Sequence, residues 1–388
     1  MTSHPNEIAA ILGLESPSLK QLLECKAQIS EQSFGRLSKE DAGKAREQQN
    51  LDWLKKSLQA AITLEFATIP PYLSALWSIK DELHPVAKSI REVAQEEMLH
   101  MALACNMLAS LGVTPQINTA VPTYPGSLPG GVHEGLIVGL QGLTKSVLKT
   151  FLWIERPVEG VPIEQPYAEP GNNTNFRSGK LKEAFKYDAT IGEFYDKIKE
   201  AFHIYDTDPK NSKLIPDRQI AGPLAWAVIR NLDNVEYAIE LIKHQGEGAD
   251  NNPEEAKGFL SHFYRFLEVY NEQQYQWNPK KKVLEVVGKL EFPEVWPMAE
   301  VPAGGYKKED VSEEVWYYLD EFDNTYTRLV NQLQGAWTLG GQASLIRAYE
   351  TMFELEKYAK PLMRIRTPFG GGETYGPCFR YKPDQSTT

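Results

Sequence analysis

The sequence predicts a mainly α fold. Apolar residues recur at three- and four-residue steps through several long segments, Gly and Pro clusters separate them, and no strand–helix alternation runs along the chain. At 388 residues, 42% hydrophobic and 24% charged, the chain can fill two or three small domains or one large helical one. No internal repeat stands out.

The first strong helix starts at Leu51, where Leu51, Leu54, Leu58, Ile62, Phe66 and Ile69 form one apolar stripe. Pro70-Pro71 predicts a kink or break, because proline lacks the backbone donor and crowds the preceding turn, with Tyr72 to Ile79 continuing the stripe. A second helix runs from about His84, with Pro85 in its first turn, to Gly112 as a terminating glycine. The two make a helical hairpin.

Residues 113–180 are rich in Gly, Pro and Asn and read as a long irregular insertion holding one helix over 134–155. Such insertions commonly build the mouth of a pocket. Further helices are predicted over 189–205, 223–245 and 253–277, then a short β-like stretch over 281–298, two helices over 311–337 and 341–365, and a C-terminal loop. The implied organisation is an N-terminal arm (1–50), a helical domain (51–275) carrying the insertion, and a C-terminal helical extension (276–388).

With 41 Lys+Arg against 52 Asp+Glu the formal charge is −11, which argues against nucleic acid or an acidic membrane surface as the main partner. The three cysteines, Cys25, Cys105 and Cys378, are too few and too scattered for a disulfide framework or a thiolate zinc site. No secretory pattern or membrane-length apolar run is present, so a cytoplasmic protein is expected. No Gly-x-Ser-x-Gly elbow or phosphate-binding loop appears, and Cys105, in an apolar setting, reads as a core thiol.

The chemistry concentrates in Glu97-Met98-Leu99-His100. Residues i and i+3 share a helix face, so this carboxylate and imidazole can grip one metal ion. Glu65 sits inside the apolar stripe of the preceding helix, where an unpaired carboxylate would cost several kcal/mol. One inward Glu followed by a Glu-x-x-His helix is half the ligand set of a four-helix, carboxylate-bridged di-metal site. For the other half, spacing alone nominates Glu200-Ala201-Phe202-His203, with Glu193 seven residues earlier; Glu240, His244, Glu247 and His262 are further candidates. Each of these also reads as an exposed pair, a loop charge or a hydrogen-bonded core residue.

Over residues 50 to 270 the sequence resembles the ferritin-like proteins related to iminophenylpyruvate dimer synthase, with a weaker echo in Gly376-Pro377-Cys378-Phe379-Arg380-Tyr381. The resemblance rests on the Glu65 helix, on Glu96-Glu97-Met98-Leu99-His100, on Thr190-Ile191-Gly192-Glu193-Phe194-Tyr195, on Gln245-Gly246-Glu247-Gly248, and on Ser261-His262-Phe263-Tyr264-Arg265-Phe266. It implies a ferritin-like four-helix bundle whose metal ligands are Glu65, Glu97, His100, Glu193, Glu247 and His262, with Glu97 and His100 as the catalytic pair, and it demotes Glu200 and His203. One departure stands out: the residue three before His262 is Phe259, not Glu.

The resemblance further implies one or two iron ions, manganese being the other candidate, dioxygen as a partner, and oxidative coupling of aromatic amino-acid-derived imines in natural-product biosynthesis. Tyr72, Trp77, Trp226 and Tyr264 are candidates for the pocket lining. The alternatives are an iron-handling protein without substrate turnover, and a protein whose buried polar residues are structural. The aromatic C-terminal helices offer a homodimer face.

Overall fold

The computed structural model describes residues 39–383, except 130–131, 134, 158–159, 162, 165–189, 209, 222–227, 249–251, 257, 339–340 and 369. The expected arm up to residue 38 lies outside the described residues. The fold is mainly α, with eight helices and a few short strands among the described residues.

Helix α1 spans Lys39–Ser78 and starts well before Leu51, because residues 39–50 are helix-forming but polar and carry no apolar stripe to read. It also runs on through Pro70 and Pro71 without a break. Pro71 deprives the Ala67 carbonyl of its helical donor, and the Tyr124 hydroxyl donates to that oxygen at 2.7 Å instead. The lost backbone bond is thus replaced from outside the helix.

Helix α2 spans Pro85–Ser110, with the His84 side chain accepting from the Val86 N–H and Gly112 at φ +75° closing its end, as the sequence predicts. It packs along α1 as the expected hairpin. Helix α3, Lys145–Ile154, is shorter than predicted: Thr144 caps it, and part of the preceding segment pairs as a two-stranded ribbon, β1 (Gly126–Ser127) with β2 (Ile137–Val138). Before that cap, Gly142 lies so close to Met298 that an added Cβ would stand 3.0 Å from the Met298 Cβ.

Helix α4, Ile191–Tyr205, opens on a reciprocal cap between Thr190 and Glu193. Helix α5, Leu232–Gly246, is capped by Asn231. The segment 253–277, predicted as one helix, divides into three: β4 (Glu254–Ala256) pairs with β5 (Phe259–Leu260), α6 covers only His262–Asn271, and β6 (Gln273–Asn278) follows. Gly258 at φ +85° turns the ribbon, and Glu272 in the left-handed region ends the helix. Strand β6 pairs antiparallel with β7 (Val283–Lys289), which is parallel to β3 (Ile163–Glu164).

Helices α7 (Glu313–Thr338) and α8 (Gln342–Leu362) form a second hairpin. Phe379 stacks on Trp77 of α1 and meets Phe322 of α7 edge-on, while the buried Asp323 accepts from the Arg380 backbone at 3.0 Å and its Nε at 2.6 Å. The C-terminal loop therefore ties α7 to α1. No described helix is long and apolar enough to cross a membrane.

Replacing Tyr124 by Phe removes the donor to Ala67 and leaves that carbonyl buried and unpaired. The expected cost is about 1–3 kcal/mol, read as a lower urea midpoint at unchanged slope; an unchanged midpoint contradicts this account of how the carbonyl freed by Pro71 is satisfied.

Candidate metal centre

Four helices deliver five ligand-type side chains to one interior point. Helix α1 brings Glu65, α2 brings Glu97 and His100, the residue capping the end of α3 is Glu155, and α6 begins with His262. All five are at most 3% exposed, so water does not balance their charge. They form two trios, Glu65–Glu97–His100 and Glu97–Glu155–His262, each with its donor atoms within 4.8 Å of one another, and Glu97 belongs to both.

Each carboxylate has one oxygen next to a hydroxyl group. Tyr195 of α4 donates to Glu65 Oε1 at 2.5 Å, Thr68 to Glu97 Oε2 at 2.9 Å, and Tyr72 to Glu155 Oε1 at 2.5 Å. Tyr72 is itself wedged against Phe151 of α3 and Phe266 of α6. The remaining oxygens face imidazole nitrogens: His100 Nδ1 lies 3.7 Å from both Glu65 Oε2 and Glu97 Oε1, and His262 Nδ1 lies 2.8 Å from Glu97 Oε1 and 3.5 Å from Glu155 Oε2.

The far side of each ring decides which nitrogen carries hydrogen. His262 Nε2 donates to Glu96 Oε2 at 2.8 Å, and Arg265 Nη1 holds the same oxygen at 3.0 Å. His100 Nε2 donates to the Gln245 amide oxygen at 2.9 Å. Glu96 and the Gln245 oxygen are acceptors only, so each neutral ring turns a bare Nδ1 lone pair toward carboxylate oxygens. His262 Nδ1 is buried and makes no directed hydrogen bond. A lone pair facing anions repels them unless a proton or a metal cation lies between. Two carboxylates about 4 Å apart add about 4 kcal/mol of repulsion even at an effective dielectric of about 20.

The proton affinities follow. Burial first, and then the charge of Glu97, hold Glu65 and Glu155 above the ordinary carboxylate range. Burial opposes ionisation of Glu97 too, but the close His262 and the charges of both imidazoles outweigh it and bring Glu97 to about 2. Burial lowers His100, whereas for His262 the surrounding carboxylates overcome burial and raise it. Glu96 is held below the ordinary range against its burial by His262 and Arg265.

The residues fit a metal ion. Around an ion bound at about 2.1 Å, neighbouring N and O ligands stand roughly 3 to 4 Å apart; His100 Nδ1 lies in that range of Glu65 and Glu97, and His262 Nδ1 in that range of Glu155, while Glu97 stands nearer His262 at 2.8 Å.

Of the sequence-predicted ligands, the structure brings Glu65, Glu97, His100 and His262 together and leaves Glu193 and Glu247 out. Glu193 occupies the third position of α4, where its carboxylate accepts from the Thr190 N–H at 2.9 Å. Glu247 caps the end of α5 and its carboxylate fills the space beside Gly192, at the same helix start; burial raises it to about 8. Both motifs nevertheless reach the centre, through Tyr195 and Gln245. Two residues along a helix turn the direction by about 200°, so the polar residue two positions away faces the opposite side.

Sequence reasoning missed Glu155, although Leu148, Phe151, Leu152 and Glu155 repeat the stripe-with-one-acid pattern of Glu65. It lies at the end of the helix predicted within the insertion, a segment read only as the mouth of a pocket, which also supplies a ligand-type carboxylate. Glu200 and His203 lie on the surface, paired with Lys197 and Glu236, and His244 pairs with Glu240 there. Of the aromatic candidates, Tyr72 touches the centre, Trp77 packs against the C-terminal loop, the Tyr264 hydroxyl accepts from the Val161 N–H, and Trp226 lies outside the described residues. Cys105 is a buried thiol whose ionisation burial suppresses, in keeping with a core role.

Comparison with known proteins places these observations in a family. A family model described as ferritin-like matches residues 58–271, more than half of the chain. The crystal structure of a ferritin-like protein from Caulobacter vibrioides is similar over 85% of this chain and 97% of that one, at 19% identity and a TM-score of 0.55, a likeness of fold. No curated protein matches.

Replacing Glu65 or Glu155 by Gln should leave the metal-free protein as stable as before or more so, because a repelling carboxylate is removed. In contrast, the gain in unfolding free energy on adding Mn(II), about 2.7 kcal/mol at a hundredfold excess over Kd, should shrink. Denaturant titrations with and without the ion check both signs. Loss of stability in the metal-free variants would mark these carboxylates as structural.

Proposed function

The chain belongs to the ferritin-like family, and we propose that it is an iron-dependent oxidoreductase or oxidative coupling enzyme acting on a small aromatic, amino-acid-derived metabolite with dioxygen as oxidant. One observation carries the metal: two imidazoles, each oriented from behind, turn Nδ1 toward three buried carboxylates. Three carboxylates with two histidines and no thiolate favour iron or manganese over structural zinc. A bound iron would supply the redox chemistry of oxygen activation.

The chain's own residues do the rest. Glu65 and His100 serve one half, Glu155 and His262 the other, and Glu97 is shared. The hydroxyls of Tyr195, Tyr72 and Thr68 orient the carboxylates. Phe151, Phe266 and Tyr72 pack into a dry wall that keeps bulk water from the reacting atoms. The substrate class rests on the resemblance to proteins related to iminophenylpyruvate dimer synthase.

His100→Ala should lower bound iron and oxygen consumption together, turnover by more than about tenfold, measured by metal analysis and an oxygen electrode with imines of oxidised aromatic amino acids. Unchanged iron content in this variant contradicts its place in the centre. An iron-loaded wild-type protein that consumes no oxygen with any such substrate points instead to iron handling without turnover.

A further inference from the structure

We infer that the two halves of the centre are inequivalent and fill in order, the Glu97–Glu155–His262 half first, because Glu96 backs His262 whereas only the Gln245 amide backs His100. This rests on the metal-dependent function proposed above.

The donors toward the ion are matched. Each half has one imidazole Nδ1, one terminal glutamate and a share of Glu97. Even the supports of the terminal glutamates are alike, a buried tyrosine hydroxyl at 2.5 Å on Glu65 and another at 2.5 Å on Glu155. The difference lies behind the rings.

His262 Nε2 donates to a carboxylate at 2.8 Å, and His100 Nε2 to a neutral amide oxygen at 2.9 Å. A hydrogen bond to an ionised acceptor is about twice as strong as one between neutral groups. By drawing the Nε2 proton away, it makes the opposite nitrogen the more basic ligand.

Arg265 completes the device. It pairs with both oxygens of Glu96, at 3.0 and 3.3 Å, while its Nε donates to the Leu260 carbonyl at 2.5 Å. The guanidinium keeps Glu96 ionised and fixes its position, and it offsets the carboxylate's longer-range field. The advantage therefore reaches His262 through the hydrogen bond. The His262 half is also the tighter one, its Nδ1 standing 2.8 and 3.5 Å from its carboxylates against 3.7 Å twice for His100. Glu96 and Gln245 are thus positioning residues that set the order of loading.

The test is an anaerobic calorimetric and spectroscopic titration of the metal-free full chain with Co(II). The wild type should take up two ions with dissociation constants at least about tenfold apart. E96Q should weaken the first event by about 10–100-fold and leave the second nearly unchanged, and Q245E should strengthen the second. H100A should keep the tight event and lose the weak one, with H262A doing the reverse; if the wild type takes up a single ion, H100A should keep it and H262A lose it. Equal wild-type affinities, an E96Q effect confined to the second event, or loss of the tight event in H100A overturns the order. Because Q245E and H100A leave Glu96 and Arg265 in place, they decide the matter even if E96Q fails to fold. A wild type that binds no Co(II), Mn(II) or Fe(II) defeats the metal centre itself, a result distinct from equal affinities.

Discussion

Charge balance at one buried point is the constraint on which this structure depends. Three carboxylates and two imidazole lone pairs converge where exposure is at most 3%. Such a cluster is costly in the folded chain unless protons or metal ions neutralise it. The tilt of the Glu65 and Glu155 acidities toward the protonated form and the elevation of His262 express the same debt in the cation-free protein. Natural sequences tolerate this kind of local conflict mainly at functional sites.

The scaffold is arranged to withstand that conflict. Tyr72, Phe151 and Phe266 interlock α1, α3 and α6 directly beside Glu155, so the hydroxyl that holds the carboxylate is positioned by aromatic packing. Helices α4 and α5 contribute none of the five ligand-type side chains but send in Tyr195 and Gln245. Outside this shell the Tyr124 hydroxyl satisfies the Ala67 carbonyl that Pro71 leaves without a helical donor, and α1 carries the stripe from Glu65 on to Tyr72 and Trp77. Rigid support of this kind is what keeps first-contact groups within the small tolerance that metal ligation demands.

The departure at Phe259 has a geometric origin. His262 is the first residue of its helix, and the residue three before it lies in strand β5, more than half exposed. No helical face there lets position 259 share the direction of position 262. A carboxylate on the His262 face at position 259 is thus ruled out by where the helix starts, and among the described residues Glu97 is the one member common to both trios.

Much of this was legible in the sequence because it is local. The stripes of α1 and α2, the acid at position 65 within an apolar run, and the i,i+3 pair of Glu97 and His100 follow from helical periodicity, which a single segment displays by itself. The division of residues 253–277 into ribbon, helix and strand was not legible, since an apolar pattern reads alike in short buried strands and helices. Nor was the choice of Glu155 over Glu193, of Tyr195 within its motif, or of Gln245 over Glu247. Each candidate is a plausible polar residue on its own helix, and which one faces the centre depends on how separate helices meet. The sequence by itself determined a helical protein with half of a carboxylate–histidine site; only the tertiary structure decided the other half, because convergence of side chains from distant segments is a property of packing and not of any one segment's period.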